Sequence, residues 1–301
     1  MRASESPGTV VLLGSSGMLG QELISACPEL ANRMVAFADS TALDVTDEAA
    51  VRAALVPLKP AIIINATAYT NVDGAESDRD QAARVNGDGP GILARIAVEQ
   101  GALLVHYSTD YVFNGEGRRP YAVTDPTDPV NWYGATKLAG EVAIRRSGCR
   151  HLIIRTSWLY APHGRNFVQT ILQHAAAKPE LRVVMDQRGR PTLAADLAEM
   201  TCRLIHRGAE GTFHATNSGD CSWFEFAEAI VDEAGLACRV LPIETNEFPR
   251  PARRPRFSVL DLSGTTNLIG QPRHWLDALR ACLREILPGA ANHLPTAAQV
   301  H

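Results

Sequence analysis

Tyr133 and Lys137 stand four residues apart, and Thr109 lies 24 residues before the tyrosine. Positions i and i+4 of a helix share a face, so an ammonium can sit one turn from a phenol. A phenol titrates near ~10, and bringing it toward 7 requires roughly 3 units, about 4 kcal/mol, of preference for the anion. A neighbouring lysine supplies part of that preference. A tyrosine acting as general acid contributes about 10² to 10⁴ in rate. Tyr-x-x-x-Lys alone arises by chance on many surface helices. Here the pair follows a Ser108-Thr109-Asp110 segment at the end of an apolar run, where open parallel sheets place ligands, and that order makes chance unlikely.

A second constellation stands near the start of the chain. Gly14-Ser15-Ser16-Gly17-Met18-Leu19-Gly20 has the spacing GxxGxxG between a β-branched run and a helical pattern. Gly14 permits a tight turn, Gly17 lets the backbone approach a pyrophosphate, and Gly20 allows helix to pack on strand. The N–H groups of the helix start then face the phosphates. Asp39 follows Gly20 by 19 residues at the end of the next apolar run. Its carboxylate can accept from an adenosine ribose and repels a 2′-phosphate. No arginine flanks it, which tilts the reading toward NADH, although Arg33 or Arg52 could fold back. A positively charged oxidised nicotinamide would join Lys137 in acidifying the phenol.

The elements that must position these groups alternate. Thr9–Leu13 predicts a strand, and Met18, Leu19, Leu23 and Ile24 mark one face of a helix ending near Pro28. Arg33–Ala38 predicts a strand, and Asp47–Leu55 a helix with Asp44 or Thr46 near its cap. Ala61–Ala66 is apolar on both faces, as a doubly covered parallel strand should be. Gln81–Gln100 is helical, broken in two by Gly87, Gly89, Pro90 and Gly91. Ala102–Ser108, Trp132–Arg146 and His151–Thr156 continue as strand, helix and strand. Such alternation predicts a parallel sheet with right-handed crossovers. After Tyr160 it weakens: helices at Phe167–Ala177, Ala195–Arg207, Trp223–Ala234 (opened by Ser222) and Leu276–Ile286, and one short strand at Gly211–Ala215. Glu247–Pro255, rich in Pro and Arg, is loop, and Pro288–His301 is a loose tail.

Composition sets the outer limits. At 301 residues, 46% apolar and 21% charged, the chain can bury a substantial core, which excludes wholesale disorder. A net charge of −4 gives no general pull toward nucleic acid or anionic membrane. The longest apolar stretches fall far short of the ~20 residues of a membrane span. Met1–Gly8 is polar and has no secretory pattern, and the six cysteines are dispersed without CxxC spacing, so the expectation is buried free thiols and a cytoplasmic location. No Cys/His spacing suggests zinc, and no metal is assigned.

The words of the chain narrow the reading. Ile64-Asn65-Ala66-Thr67-Ala68-Tyr69-Thr70, Val72-Asp73, Ser108-Thr109-Asp110-Tyr111-Val112-Phe113, Tyr133-Gly134, Arg155-Thr156-Ser157-Trp158, Asp186-Gln187, Ser222-Trp223 and Pro251-Ala252-Arg253-Arg254-Pro255 together resemble the dTDP-4-dehydrorhamnose reductases of the extended short-chain dehydrogenase/reductase superfamily. The resemblance runs from about residue 10 to 285. It implies a Rossmann-type doubly wound α/β fold with a smaller α/β substrate-binding domain: 9–160 and 192–217 for the nucleotide cofactor, 161–191 and 218–287 for the nucleotide sugar, and 288–301 as tail. It implies reduction of the 4-keto group of dTDP-4-dehydro-6-deoxy-L-mannose by NADPH or NADH, with Thr109, Tyr133 and Lys137 catalytic. Gly14, Gly17, Met18, Leu19, Gly20, Asp39, Asp44, Val45, Thr67, Ala68, Tyr69 and Tyr107 would line the cofactor, shared with Tyr133 and Lys137. Asp73, Thr109, Asp110, Trp158, Arg253 and Arg254 would face the dTDP-sugar. The resemblance also leaves room for a homodimer, and for Mg²⁺ at a dimer contact whose acids the sequence does not locate.

Several of these residues carry a second meaning. Trp158 offers a flat face and one N–H to a deoxysugar, or fills a core. Asp110 can accept a sugar hydroxyl, tune Thr109, or cap a turn. Asp73 suits substrate contact and an Asx-turn about equally. Arg250, Arg253, Arg254 and Arg256 can bind a diphosphate or form a solvated basic loop. His106 alternates away from Tyr107 and reads as a satisfied core histidine. Three other functions share the motif set: a reductase of another dTDP-deoxysugar such as the streptose branch, a 4-epimerase that retains its NAD, and a non-catalytic regulatory subunit.

Overall fold

The computed structural model describes residues 8–287. Its main elements are β1 (Thr9–Leu13), α1 (Met18–Ala26), β2 (Met34–Phe37), α2 (Glu48–Leu55), β3 (Pro60–Asn65), α3 (Gly89–Gln100), β4 (Leu103–Thr109), α4 (Trp132–Ser147), β5 (His151–Thr156), α5 (Phe167–Ala177), β6 (Glu180–Val184), α6 (Ala194–His206), β7 (Gly211–His214), α7 (Trp223–Glu233), β8 (Arg239–Ile243), α8 (Ser263–Ile269) and α9 (Trp275–Ile286).

Strand side chains alternate between faces, and here both faces are apolar. Val10, Leu12, Ile64, Val105 and Ile154 share one core with Leu19 and Leu23 of α1 and Leu197 and Leu204 of α6. Val11, Leu13, Ile63, Leu104 and Ile153 share the other with residues of α2, α3 and α4. Burial on both sides is what selects an all-parallel arrangement. Six strands pair in parallel in the order β2-β1-β3-β4-β5-β7. The chain leaves β1 toward β2 and then returns to its other side as β3, so the strand order reverses beside the end of β1. Open α/β sheets hold ligands at such a switch point, outside the carboxyl ends of the strands. This is the doubly wound Rossmann-type fold expected above.

A third core lies away from the sheet. Tyr160, Ile171, Phe226, Trp275 and Leu279 bring α5, α7 and α9 together, and β6 pairs in parallel with β8. Neither of these two strands, nor α8, was expected from the sequence. The expected break in the 81–100 helix is present: a short helix at Arg79–Ala83, a π-turn at Arg84–Asp88, then α3. The cap of α2 is Asp47, whose side chain accepts from Ala50 N–H, rather than Asp44 or Thr46. Ser222 caps α7 as expected, in a reciprocal capping box with Glu225.

The expectation of six free thiols is corrected at one pair. Cys27, just after α1, is disulfide-bonded to Cys202 of α6. The two lie 175 residues apart, and only the packing of α1 beside α6 reveals their proximity. Cys149, Cys221, Cys238 and Cys282 are free and buried. No helix among the described residues is long and apolar enough to cross a membrane. The polar start at 1–7 and the tail at 288–301 lie outside the described residues.

Candidate active site

The loop from β1 to α1 meets its geometric demands with glycine. Gly14 has φ +81°, and a Cβ there would press on the Ala66 backbone at 2.9 Å. A Cβ on Gly20 would collide with the Gly14 carbonyl. Gly17 is the N-cap of α1 and has no side chain to cap it. The first-turn N–H groups are therefore left for an incoming anion, a good fit for a pyrophosphate. Asp39 is exposed beyond β2, and its Oδ1 already accepts from Thr41 N–H and hydroxyl at 2.9 and 2.7 Å. These bonds hold its carboxyl below the usual range. Asp44 makes the same turn with Thr46, and Val45 is buried beside it. Thr67, Ala68 and Tyr69 follow β3 directly, next to the glycine loop. Met18 Sδ accepts from Asn166, the N-cap of α5, at 3.7 Å, which ties the loop to the third core.

At the carboxyl end of β4, Thr109 Oγ1 donates to Asp110 Oδ1 at 3.0 Å and accepts from Tyr111 N–H at 3.2 Å. Asn131 caps α4 through Gly134 N–H, which sets Tyr133 in the first turn. Tyr111 packs edge-on against Tyr133, with ring centroids 6.1 Å apart. Lys137, only 2% exposed, donates to the Tyr107 carbonyl at 2.6 Å. Thr109, Tyr133 and Lys137 thus stand at one strand end, as their spacing predicts.

The electrostatics differ from the expectation. Burial, with the Asp110 charge adding to it, pushes the Tyr133 phenol up to about 12, against a hydrogen bond with Thr109. Burial also lowers Lys137 to about 8, against the attraction of Glu141. Burial and the nearby Asp110 charge leave the phenol a weak acid, with Lys137 one helical turn away. A bound oxidised nicotinamide would add positive charge that favours the phenolate. Asp110 is 2% exposed, and its Oδ2 has no partner among the described residues. Burial drives that carboxyl up to about 7, opposed by hydrogen bonds with Ser258 and Thr109. An orphaned buried carboxyl oxygen beside Thr109 is suited to a ligand hydroxyl.

Other expected residues hold different partners. The Tyr107 phenol points into the sheet core and donates to Thr201 Oγ1 at 3.0 Å, so only its backbone reaches the site. Asp73 accepts from Arg250 at 2.6 Å, from Arg254, and from Ala252 N–H at 3.2 Å. Despite burial, these partners hold its carboxyl at about 2. Asp73 is therefore the anchor of the 250–254 loop, and Arg254 is anchored with it. Arg253 is exposed, and its carbonyl accepts from Asn131. Trp158 has φ +47° and stacks on Trp223 at 3.5 Å. Gly189 makes this possible, since a Cβ there would fall 2.6 Å from the Trp158 ring. Sequence reasoning missed the roles of Trp223, Gly189 and Tyr111; of these, Trp223 and Tyr111 stood within the family words. A cleft of about 1450 Å³ opens beside the site, bounded by Tyr111, Phe167, Trp223, Phe248, Arg250 and Arg254. Among the described residues no group of three or more His, Cys, Asp or Glu is placed to hold a metal ion.

Comparisons with known proteins identify the family. Residues 8–287 match the family model described as the RmlD substrate binding domain. The dTDP-4-dehydrorhamnose reductase of Burkholderia thailandensis is 39% identical over 296 residues, covering 92% of this chain and 99% of that protein. A probable dTDP-4,6-dihydroxy-2-methyloxan-3-one 4-ketoreductase of Streptomyces antibioticus is 41% identical over 294 residues, covering 95% and 97%. The crystal structure of the Bacillus anthracis dTDP-4-dehydrorhamnose reductase in complex with NADP superposes with a TM-score of 0.88 at 39% identity, covering 92% of this chain and 99% of that one. On the family model that spans residues 8–287 and on relatives matched over nearly their whole length, the chain belongs to the dTDP-4-dehydrorhamnose reductase family.

Proposed function

We propose that this chain reduces the 4-keto group of dTDP-4-dehydro-6-deoxy-L-mannose to dTDP-L-rhamnose, using NADPH or NADH. The observation that carries the reading is the convergence of Thr109, Tyr133 and Lys137 at the end of β4, between an uncapped helix start and a cleft walled by aromatic and arginine side chains.

When bound, the reduced nicotinamide supplies hydride to the sugar C4. Tyr133 donates its proton to the forming alkoxide, and Thr109 holds that oxygen by its hydroxyl. Lys137, a cation below about 8, steadies the phenolate that remains and grips the nicotinamide ribose. The α1 N-terminus takes the pyrophosphate, and Asp39 faces the adenosine ribose with the oxygen its turn leaves free. Asp110 accepts a sugar hydroxyl through its unpartnered Oδ2, and Trp158 packs on the deoxysugar. Arg253 and Arg254 border the diphosphate, with Arg254 oriented by Asp73.

The separate cores support a division of labour in which 9–160 and 192–217 bind the cofactor while 161–191 and 218–287 bind the nucleotide sugar. A cytoplasmic setting and a homodimer accompany this proposal. The likeness to the Streptomyces antibioticus ketoreductase supports a second reading, the same chemistry on another dTDP-deoxysugar.

A coupled assay with the keto sugar and each reduced nicotinamide tests both. Stoichiometric loss of nicotinamide absorbance is expected, with NMR of the product identifying the sugar. Tyr133→Phe is expected to lower kcat by about 10² to 10⁴ while cofactor binding persists. Turnover retained by that variant would refute the proton route, and product without net cofactor consumption would indicate epimerisation.

A further inference from the structure

Asn65, His106 and Lys137 are each at most 2% exposed and form a buried chain that the proton route above does not use. Asn65 ends β3 directly opposite His106 of β4 in the parallel ladder. Its Oδ1 accepts from Thr67 N–H at 3.1 Å and from the Thr67 hydroxyl at 2.6 Å. The other amide atom is therefore Nδ2, a donor, and it lies 3.2 Å from His106 Nδ1. Burial foremost, and the Lys137 charge after it, keep this ring neutral, well below the usual histidine range. A neutral imidazole has one donor nitrogen and one acceptor. With Nδ1 accepting, the ring proton sits on Nε2, which lies 3.5 Å from Lys137 Nζ.

An Nε2–H facing an ammonium sets donor against donor, whereas the same N–H facing a neutral amine meets a lone pair. The other groups around Lys137 are few. The Tyr107 carbonyl accepts from it at 2.6 Å, and Glu141 one turn along α4 favours the cation. That carboxylate is in turn committed to Arg155 of β5 and Arg145 of α4. Tyr133 lies one turn before Lys137, and Asn65 and Thr67 on the β3 side are neutral.

We propose that Asn65 and His106 are positioning residues for Lys137: the amide locks the imidazole in its Nε2–H tautomer, and the ring N–H directed at the lysine nitrogen sets how tightly Lys137 holds its proton. This inference rests on the catalytic reading above and deepens it. Failure of that reading shows as turnover retained by Tyr133→Phe, whereas failure here leaves Tyr133→Phe inactive.

The test uses the intact enzyme with NADP⁺ bound and ¹⁵N-labelled histidine, the His106 signal being identified by its loss in His106→Phe. Between about pH 6 and 9 the ring is expected to stay neutral with its proton on Nε2; a proton on Nδ1, or an imidazolium, overturns the proposal without need of any variant. His106→Phe removes the opposing N–H and adds no charge. The alkaline limb of kcat for ketone reduction is then expected to move up by about half a unit or more, with KM for the sugar within about twofold. An unmoved limb overturns the proposal. Asn65→Asp replaces the amide donor with an acceptor and is expected to transfer the ring proton to Nδ1. A proton remaining on Nε2 in that variant also overturns it.

Discussion

In the proposed reaction, Lys137 supports the phenolate of Tyr133 only while it is charged. Burial lowers its ammonium to about 8, so it is a cation below that pH and a neutral amine above. Tyr133, pushed up to about 12, stays protonated across the same range and imposes no limb there. We therefore expect kcat for reduction, at saturating sugar and cofactor, to fall as pH rises through about 8. Steady-state rates between about pH 6.5 and 10 check this, and a level profile through pH 9 would contradict it. The placing of Tyr133 beside Lys137 was legible in the sequence because a helix converts a spacing of four into adjacency. Their proton affinities were not. Those depend on burial, on Asp110 and Thr109 beside Tyr133, and on Glu141 beside Lys137, a setting only the folded chain supplies.

Among the secondary-structure elements, α4 and β5 are joined by a buried ion pair. Glu141 is fully buried and accepts two hydrogen bonds from Arg155, at 2.9 and 2.8 Å, with Arg145 adding a third. Removing one partner of such a pair leaves an uncompensated buried charge. Glu141→Gln is expected to destabilise the fold by about 3–5 kcal/mol, measured from the shift in urea midpoint with an unchanged m-value. Strands and helices of the sheet half were legible because short continuous apolar runs alternate with helical apolar patterns, and in the third core Ser222 marked the start of α7. The misses have physical causes. Pro242 lies within β8, and proline argues against a strand unless the strand is an edge. The α8 sequence Ser-Gly-Thr-Thr-Asn-Leu-Ile has little intrinsic helix preference; its Thr265 and Ile269 are held by burial instead.

Across the whole molecule, Asp73 connects the loop after β3 to the arginine loop 177 residues further along. Charged hydrogen bonds contribute about 1.5–3 kcal/mol each. Asp73→Ala is expected to free the 250–254 loop and raise KM for the sugar nucleotide about tenfold or more, with kcat within about threefold. Initial-rate kinetics separate the two constants, and an unchanged KM would remove the anchoring role. No local pattern signals an attachment between such distant segments, which is why Asp73 read from sequence as a substrate contact or a simple turn.

The placement of β7 at the edge of the six-stranded sheet has a practical corollary. The third core is drawn from residues on either side of that strand, so a hybrid enzyme made by one crossover between two relatives would combine mismatched halves of the unit proposed above to bind the nucleotide sugar. If that division holds, exchanging sugar preference between such enzymes calls for two coordinated grafts, one upstream and one downstream of 211–214, with the six-stranded sheet left in place.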